Sequence, residues 1–240
     1  VTAEEFKILQ DRWAQIQALS LLQGSHTNED EQANLEMCVM EAVAYVAGEP
    51  WSDHPQCACP TLTEFAISWN DALPSDADRD RLLKPLIPKL VGTRGSAKLA
   101  ERRSYMALDW LIRVHTPKWL ELVPALQEHV KALRTLPEIV DMAGAMAAGR
   151  RVRLAQTDAI AAWDAAGDAA WDAAGNAAWD AARAAARAAA WDAAWDAAGA
   201  AAWDAARAAA GAAARDALKP TIEYLQQSAL DLFNRMLEAA

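Results

Sequence analysis

The sequence predicts an all-α protein: a helical bundle, followed by an Ala/Trp/Asp tetrapeptide-repeat helical region packed on it. Three observations predict this class. Helix-capping pairs recur through the first 150 residues, each followed by apolar residues three and four apart. No stretch shows the period-two alternation of a half-buried strand. The tract 161–216 is built on alanine, the strongest helix former. The expected organisation is a bundle over 1–150, repeat helices over 151–218 and a C-terminal amphipathic helix over 219–240.

Taken in order, Thr2 and Glu5 form a capping box for a first helix with Phe6, Leu9, Trp13 and Ile16 on one face and Gly24 as its stop. A second helix is expected from Asn28 to Ala47, with Leu35, Cys38, Ala42 and Val46 inward and Gly48 just past its end. Pro50, Pro55 and Pro60 make the next stretch a loop. Thr61 and Glu64 open a third helix carrying Leu62, Phe65, Trp69 and Leu73. Ser75 and Asp78 open a fourth, which Pro85 and Pro88 kink or end. The turn Gly92–Ser96 leads into a fifth, with Leu99, Met106, Trp110 and Val114 inward. Thr116 followed by Pro117 reads as the N-cap and first position of a sixth.

The tract 161–216 repeats Ala-Ala-X-Z, where X is Trp, Gly or Arg and Z is Asp, Asn or Ala. Four residues advance an α-helix by about 40° beyond a full turn, so the tryptophans spiral around the axis. A lone straight helix would leave those indoles in water. The repeat is therefore expected to pack as helical segments against the bundle, with small Ala and Gly positions permitting close approach. After Pro220, Ile222, Leu225, Phe233 and Met236 mark a last amphipathic helix.

Composition narrows the functions. With 33 acidic against 23 basic residues, the net charge is -10. Broad phosphate neutralisation needs the opposite balance, so nucleic acid is not expected as a direct ligand. No run is long and apolar enough to span a bilayer, and the N-terminus lacks a basic segment followed by an apolar one. The expectation is a cytoplasmic protein whose cysteines are reduced. The 11 Trp against 3 Phe and 3 Tyr make indoles the main aromatic packing groups.

The segments Met37-Cys38-Val39-Met40-Glu41 and Ala47-Gly48-Glu49-Pro50-Trp51-Ser52-Asp53-His54-Pro55 resemble uncharacterised helical proteins of actinobacteria and their bacteriophages, over roughly residues 25–145. That resemblance implies no activity. The alanine repeat is similar in style to Ala-rich tracts of helical immunity proteins attached to bacterial toxin systems, which implies a protein that binds and restrains another.

Two groups of residues can carry chemistry. His54 and Cys57 have a spacing that chelates one ion from a loop, Cys59 lies beside them, and Cys38 and Glu41 share a helix face three residues apart. Cys38, Glu41, His54 and Cys57 would form a structural zinc site joining helix two to the proline-rich loop. The alternative is that Cys38 is a small core residue and His54 caps a turn. Arg94, Lys98, Arg102 and Arg103 follow a glycine turn at a helix start, where backbone N–H groups can hold an anion such as a phosphate. The alternative there is a solvated helix face.

No G-x-S-x-G or H-E-x-x-H grouping is present. The leading expectation is a non-enzymatic interaction protein with another protein as partner. The others are a nucleotide- or anion-binding protein or enzyme using the basic turn 92–103, and a virion or assembly scaffold.

Overall fold

The computed structural model describes residues 6–27, 35–166 and 214–239. Among these residues there are helices and turns and no strand. The all-α class holds.

The first helix, α1 (Gln10–Ala18), starts later and stops earlier than its capping signals predict. The Thr2–Glu5 box lies outside the described residues. Leu19 turns extended (φ -103°, ψ 155°) because long-range partners replace the helical ones. Leu21 is buried, its N–H donates to Asp80 Oδ1 at 2.9 Å, and the Leu22 N–H donates to the Met37 carbonyl at 2.9 Å. Gly24, with φ +82°, turns the loop that follows rather than ending the helix.

The second helix, α2 (Val39–Ala47), begins with Cys38 as N-cap, not at Asn28. The Glu41 carboxylate reaches back to accept the Cys38 N–H at 2.7 Å, which supplies a terminal donor with its missing partner. Gly48 closes the helix at φ +76°, as its position predicts. Seven of the nine residues of α2 are buried, so this helix, apolar on nearly all sides, lies in the core.

The third helix, α3 (Pro60–Ala72), starts with proline, whose absent N–H would be unpaired there anyway. Leu62, Phe65 and Trp69 are buried as predicted. The Ser75 hydroxyl accepts the Asp78 N–H at 3.2 Å and opens α4 (Asp76–Leu82). Pro85 and Pro88 then break the chain into a 3-10 turn over Lys84–Leu86 and the single turn α5 (Ile87–Leu90).

Ser96 caps α6 (Ala97–Trp110) by accepting the Leu99 N–H at 3.2 Å. Its buried face is wider than the one read from spacing, which holds for Trp110 and, in part, for Met106 and Val114. Ser104, Tyr105, Ala107, Leu108 and Trp110 are buried, while Leu99 and Met106 are only partly so. The helix does not stop before Pro117 either. It widens into a π turn over Leu111–His115 and continues as α7 (Thr116–Leu120), with Thr116 itself helical (φ -58°, ψ -50°). Pro117 donates no hydrogen bond and crowds the carbonyl four residues back; the wider turn accommodates both effects. A 3-10 turn at Pro124–Leu126 leads into α8 (Gln127–Arg134). Then comes α9 (Met142–Ala166), which runs across 150–151 without a break, and finally α10 (Ala214–Glu238), which contains Pro220 rather than starting after it.

The core joins both ends of the chain. Leu232, Phe233 and Met236 of α10 are fully buried. The Phe233 ring lies 5.8 Å from Phe65 and 6.4 Å from Trp69. Trp110 Nε1 donates to Ser228 Oγ at 3.1 Å. The helix after the repeat thus completes the core of the segment before it. Residues 161–166 and 214–216 are helical. The packing of the remaining repeat and of its tryptophans lies outside the described residues. No helix among the described residues is long and apolar enough to cross a membrane.

Candidate functional site

The four residues of the predicted zinc site are used separately. Glu41, buried at the start of α2, accepts from the His26 backbone N–H at 2.6 Å and pairs with His26 Nδ1 at 3.0 Å. Cys38 is buried, and desolvation pushes its thiol up to about 12. Cys57 is also buried. Desolvation, then the Glu49 carboxylate, pushes its thiol up to about 12. The same Glu49 accepts the Gln56 and Cys57 N–H groups at 2.5 and 2.6 Å.

His54 points elsewhere, with Nδ1 2.6 Å from Asp53 and Nε2 3.0 Å from Glu64. These acceptors raise its pKa, Asp53 foremost. Among the described residues, no group of three His, Cys, Asp or Glu side chains is placed to hold a metal ion. The physical reason is orientation: Glu41 turns back to cap its own helix, and His54 turns out to the α3 carboxylate.

The basic set also divides. Arg103 is buried within α6; its Nε donates to the Met236 carbonyl at 2.8 Å and its Nη1 to the Thr93 carbonyl at 3.0 Å. Arg94 joins its turn to the loop, its N–H donating to the Cys57 carbonyl at 3.0 Å and its Nη1 to the Gln56 carbonyl at 3.1 Å. Both are therefore fastenings between segments. Lys98 and Arg102 instead line a groove of about 760 Å³ between α6 and residues 138–142, the lead into α9. Asp141 fixes that lead by accepting the Gly144 N–H at 2.8 Å.

The outer face of α9 is the other conspicuous surface. Met146 is 67% exposed, Leu154 57% and Ile160 39%. Arg150 and Arg153 are exposed beside them, and neither has an ion-pair partner among the described residues. Helical spacing puts Met146, Arg150, Arg153, Thr157 and Ile160 on one side, while Ala145, Ala148, Val152, Ala155 and Ala159 are buried on the other. Helical periodicity over 142–160 carries this stripe in the sequence itself, as an exposed face rather than as a metal or phosphate spacing.

His115 is a separate oddity. It is buried in the π turn, 5.1 Å from the Trp110 ring, and Nε2 accepts from Trp119 Nε1 at 3.3 Å. Its Nδ1 has no partner among the described residues. Burial lowers its pKa to about 3 from an ordinary 6.5. The unfolded chain therefore binds a proton near pH 6.5 and the folded one does not until about pH 3. Stability attributable to this residue is intact above 6.5 and falls as pH drops through that window, by up to about 1.4 kcal/mol per pH unit. Urea unfolding at pH 7.5 and 5.0 should show a larger loss for the wild type than for His115→Phe. Equal losses would mean His115 is not held neutral.

No family model, curated protein or solved structure matches the chain.

Proposed function

We propose that this chain is a non-enzymatic interaction protein, working in an actinobacterial or phage setting, that binds another protein through the outer face of α9 and inhibits it by covering its surface. The observation that carries the reading is the stripe of Met146 and Ile160 interleaved with Arg150 and Arg153 and flanked by Leu154, all exposed. Exposed apolar side chains grouped on one element mark contact surfaces more often than do single ones. Arginine unpaired on a chain of net charge -10 calls for an acidic counterpart from outside.

The partner is therefore acidic around an apolar centre. A phosphate backbone supplies no complement to the three apolar side chains, and the net charge repels it. The test is a photo-crosslinking residue placed at Leu154 and, as control, at Tyr224, in cells of an actinobacterial host. Position 154 should give one adduct with an acidic protein, lost on Arg150→Glu with Arg153→Glu, and position 224 should not. The same adduct from both positions, unaffected by charge reversal, would remove the face from consideration.

A further inference from the structure

We propose that the groove between α6 and the lead into α9 is a binding site for a small zwitterion with an apolar body, of the chemistry of an apolar amino acid or a short apolar peptide. Its volume of about 760 Å³ falls within the roughly 300–1,000 Å³ of small-ligand sites. One wall is α6, where Lys98 and Arg102 lie one turn apart. The other is the segment carrying Glu138 and Asp141, with Val140 and Met142 adding apolar surface. Lys98 and Glu138 have no hydrogen-bond or ion-pair partner among the described residues.

Tyr105 distinguishes this groove from ordinary surface. It is 7% exposed, it lines the groove, and its hydroxyl makes no hydrogen bond to any described residue. The ring is buried while its hydroxyl oxygen is not among the buried unpartnered atoms, so the oxygen opens to the groove, where a bound ligand can take its hydrogen bond.

The charge arrangement selects the ligand. A simple anion would meet Glu101, Glu138 and Asp141, and a simple cation would meet Lys98 and Arg102. A zwitterion satisfies both walls, its carboxylate toward Lys98 and Arg102 and its ammonium toward Glu138 and Asp141. The apolar body then covers Val140 and Met142. This site is separate from the outer face of α9, and neither depends on the other.

Calorimetric titration of the full chain with leucyl-leucine tests the proposal, alongside its N-acetylated, C-amidated and doubly blocked forms. Leucyl-leucine should saturate, and each single block should weaken binding by about tenfold or more, the loss of one charge-assisted contact. Tyr105→Phe should weaken it by roughly threefold or more, the loss of one neutral hydrogen bond. Glu138→Lys, a change at an exposed position, should weaken the zwitterion with the helical circular dichroism unchanged. Absence of saturable heat at millimolar leucyl-leucine, or four forms that bind alike, would overturn it. Inorganic phosphate binding more tightly than the dipeptide, unaffected by Glu138→Gln, would overturn it in favour of an anion site.

Discussion

Trp110→Ala should lower the unfolding free energy by about 3–5 kcal/mol, the range for emptying a core aromatic site. Trp110 is 2% exposed, and its ring lies 6.0 Å from Phe65 in an edge arrangement and 5.1 Å from His115. Two consequences add to the cavity. Ser228 loses the indole donor that ties α10 to α6, and Phe65 loses one ring neighbour while keeping Trp69 and Phe233. Because α10 belongs to the same core, the whole described bundle should weaken together. Urea unfolding followed by circular dichroism measures the loss, and Trp110→Phe should recover part of it. A change below about 1 kcal/mol would show that the site collapses without cost and that Trp110 is not a core group.

Arg79→Met should cost about 1–3 kcal/mol for each of the two helix-end carbonyls it leaves without a donor, while Asp76, half exposed, returns to water. The guanidinium is buried and donates three ways: Nε to the Asn70 carbonyl at 2.8 Å, Nη2 to the Leu73 carbonyl at 2.8 Å and Nη1 to Asp76 Oδ1 at 2.6 Å. Asn70 and Leu73 stand at the end of α3, where helix carbonyls lack partners of their own. Methionine keeps most of the side-chain volume and none of the donors, so the loss reports unsatisfied carbonyls rather than a void. Arg79→Lys restores a charge without the planar fork and should recover less than half. Stability within about 0.5 kcal/mol of wild type, the scatter of ordinary surface changes, would mean water replaces the guanidinium fully.

The local signals were legible where the chain's nearest neighbours decide the structure. Ser75 and Ser96 cap their helices, Gly48 ends α2, and Pro85 and Pro88 break the chain. They misled where a distant partner outweighed them. The early end of α1 goes with Asp80 meeting Leu21, and the start of α2 joins a local cap, Glu41 on the Cys38 N–H, to a distant contact of the same carboxylate with His26. The four zinc candidates had suitable spacing, but spacing leaves the direction of each side chain open. His54 turns to Glu64 while Cys38 and Cys57 are buried. The basic set was legible as charge and not as role: Arg94 and Arg103 fasten backbone segments, and only Lys98 and Arg102 reach the groove.

The sequence by itself determined the all-α class, the helix boundaries at Gly48, Ser75 and Ser96 and the breaks at Pro85 and Pro88, and the absence of a membrane-length apolar run, because these follow from propensities and spacings within about one turn of helix. Only the tertiary structure decided that α10 belongs to the N-terminal core, that α6 runs on through a π turn into the helix holding Pro117, and that the outer face of α9 presents arginines without ion-pair partners among the described residues, beside exposed apolar side chains. Each of those outcomes depends on which surfaces meet across long stretches of chain. Burial and hydrogen bonding between such surfaces add up to more than the few tenths of a kcal/mol by which most local preferences differ.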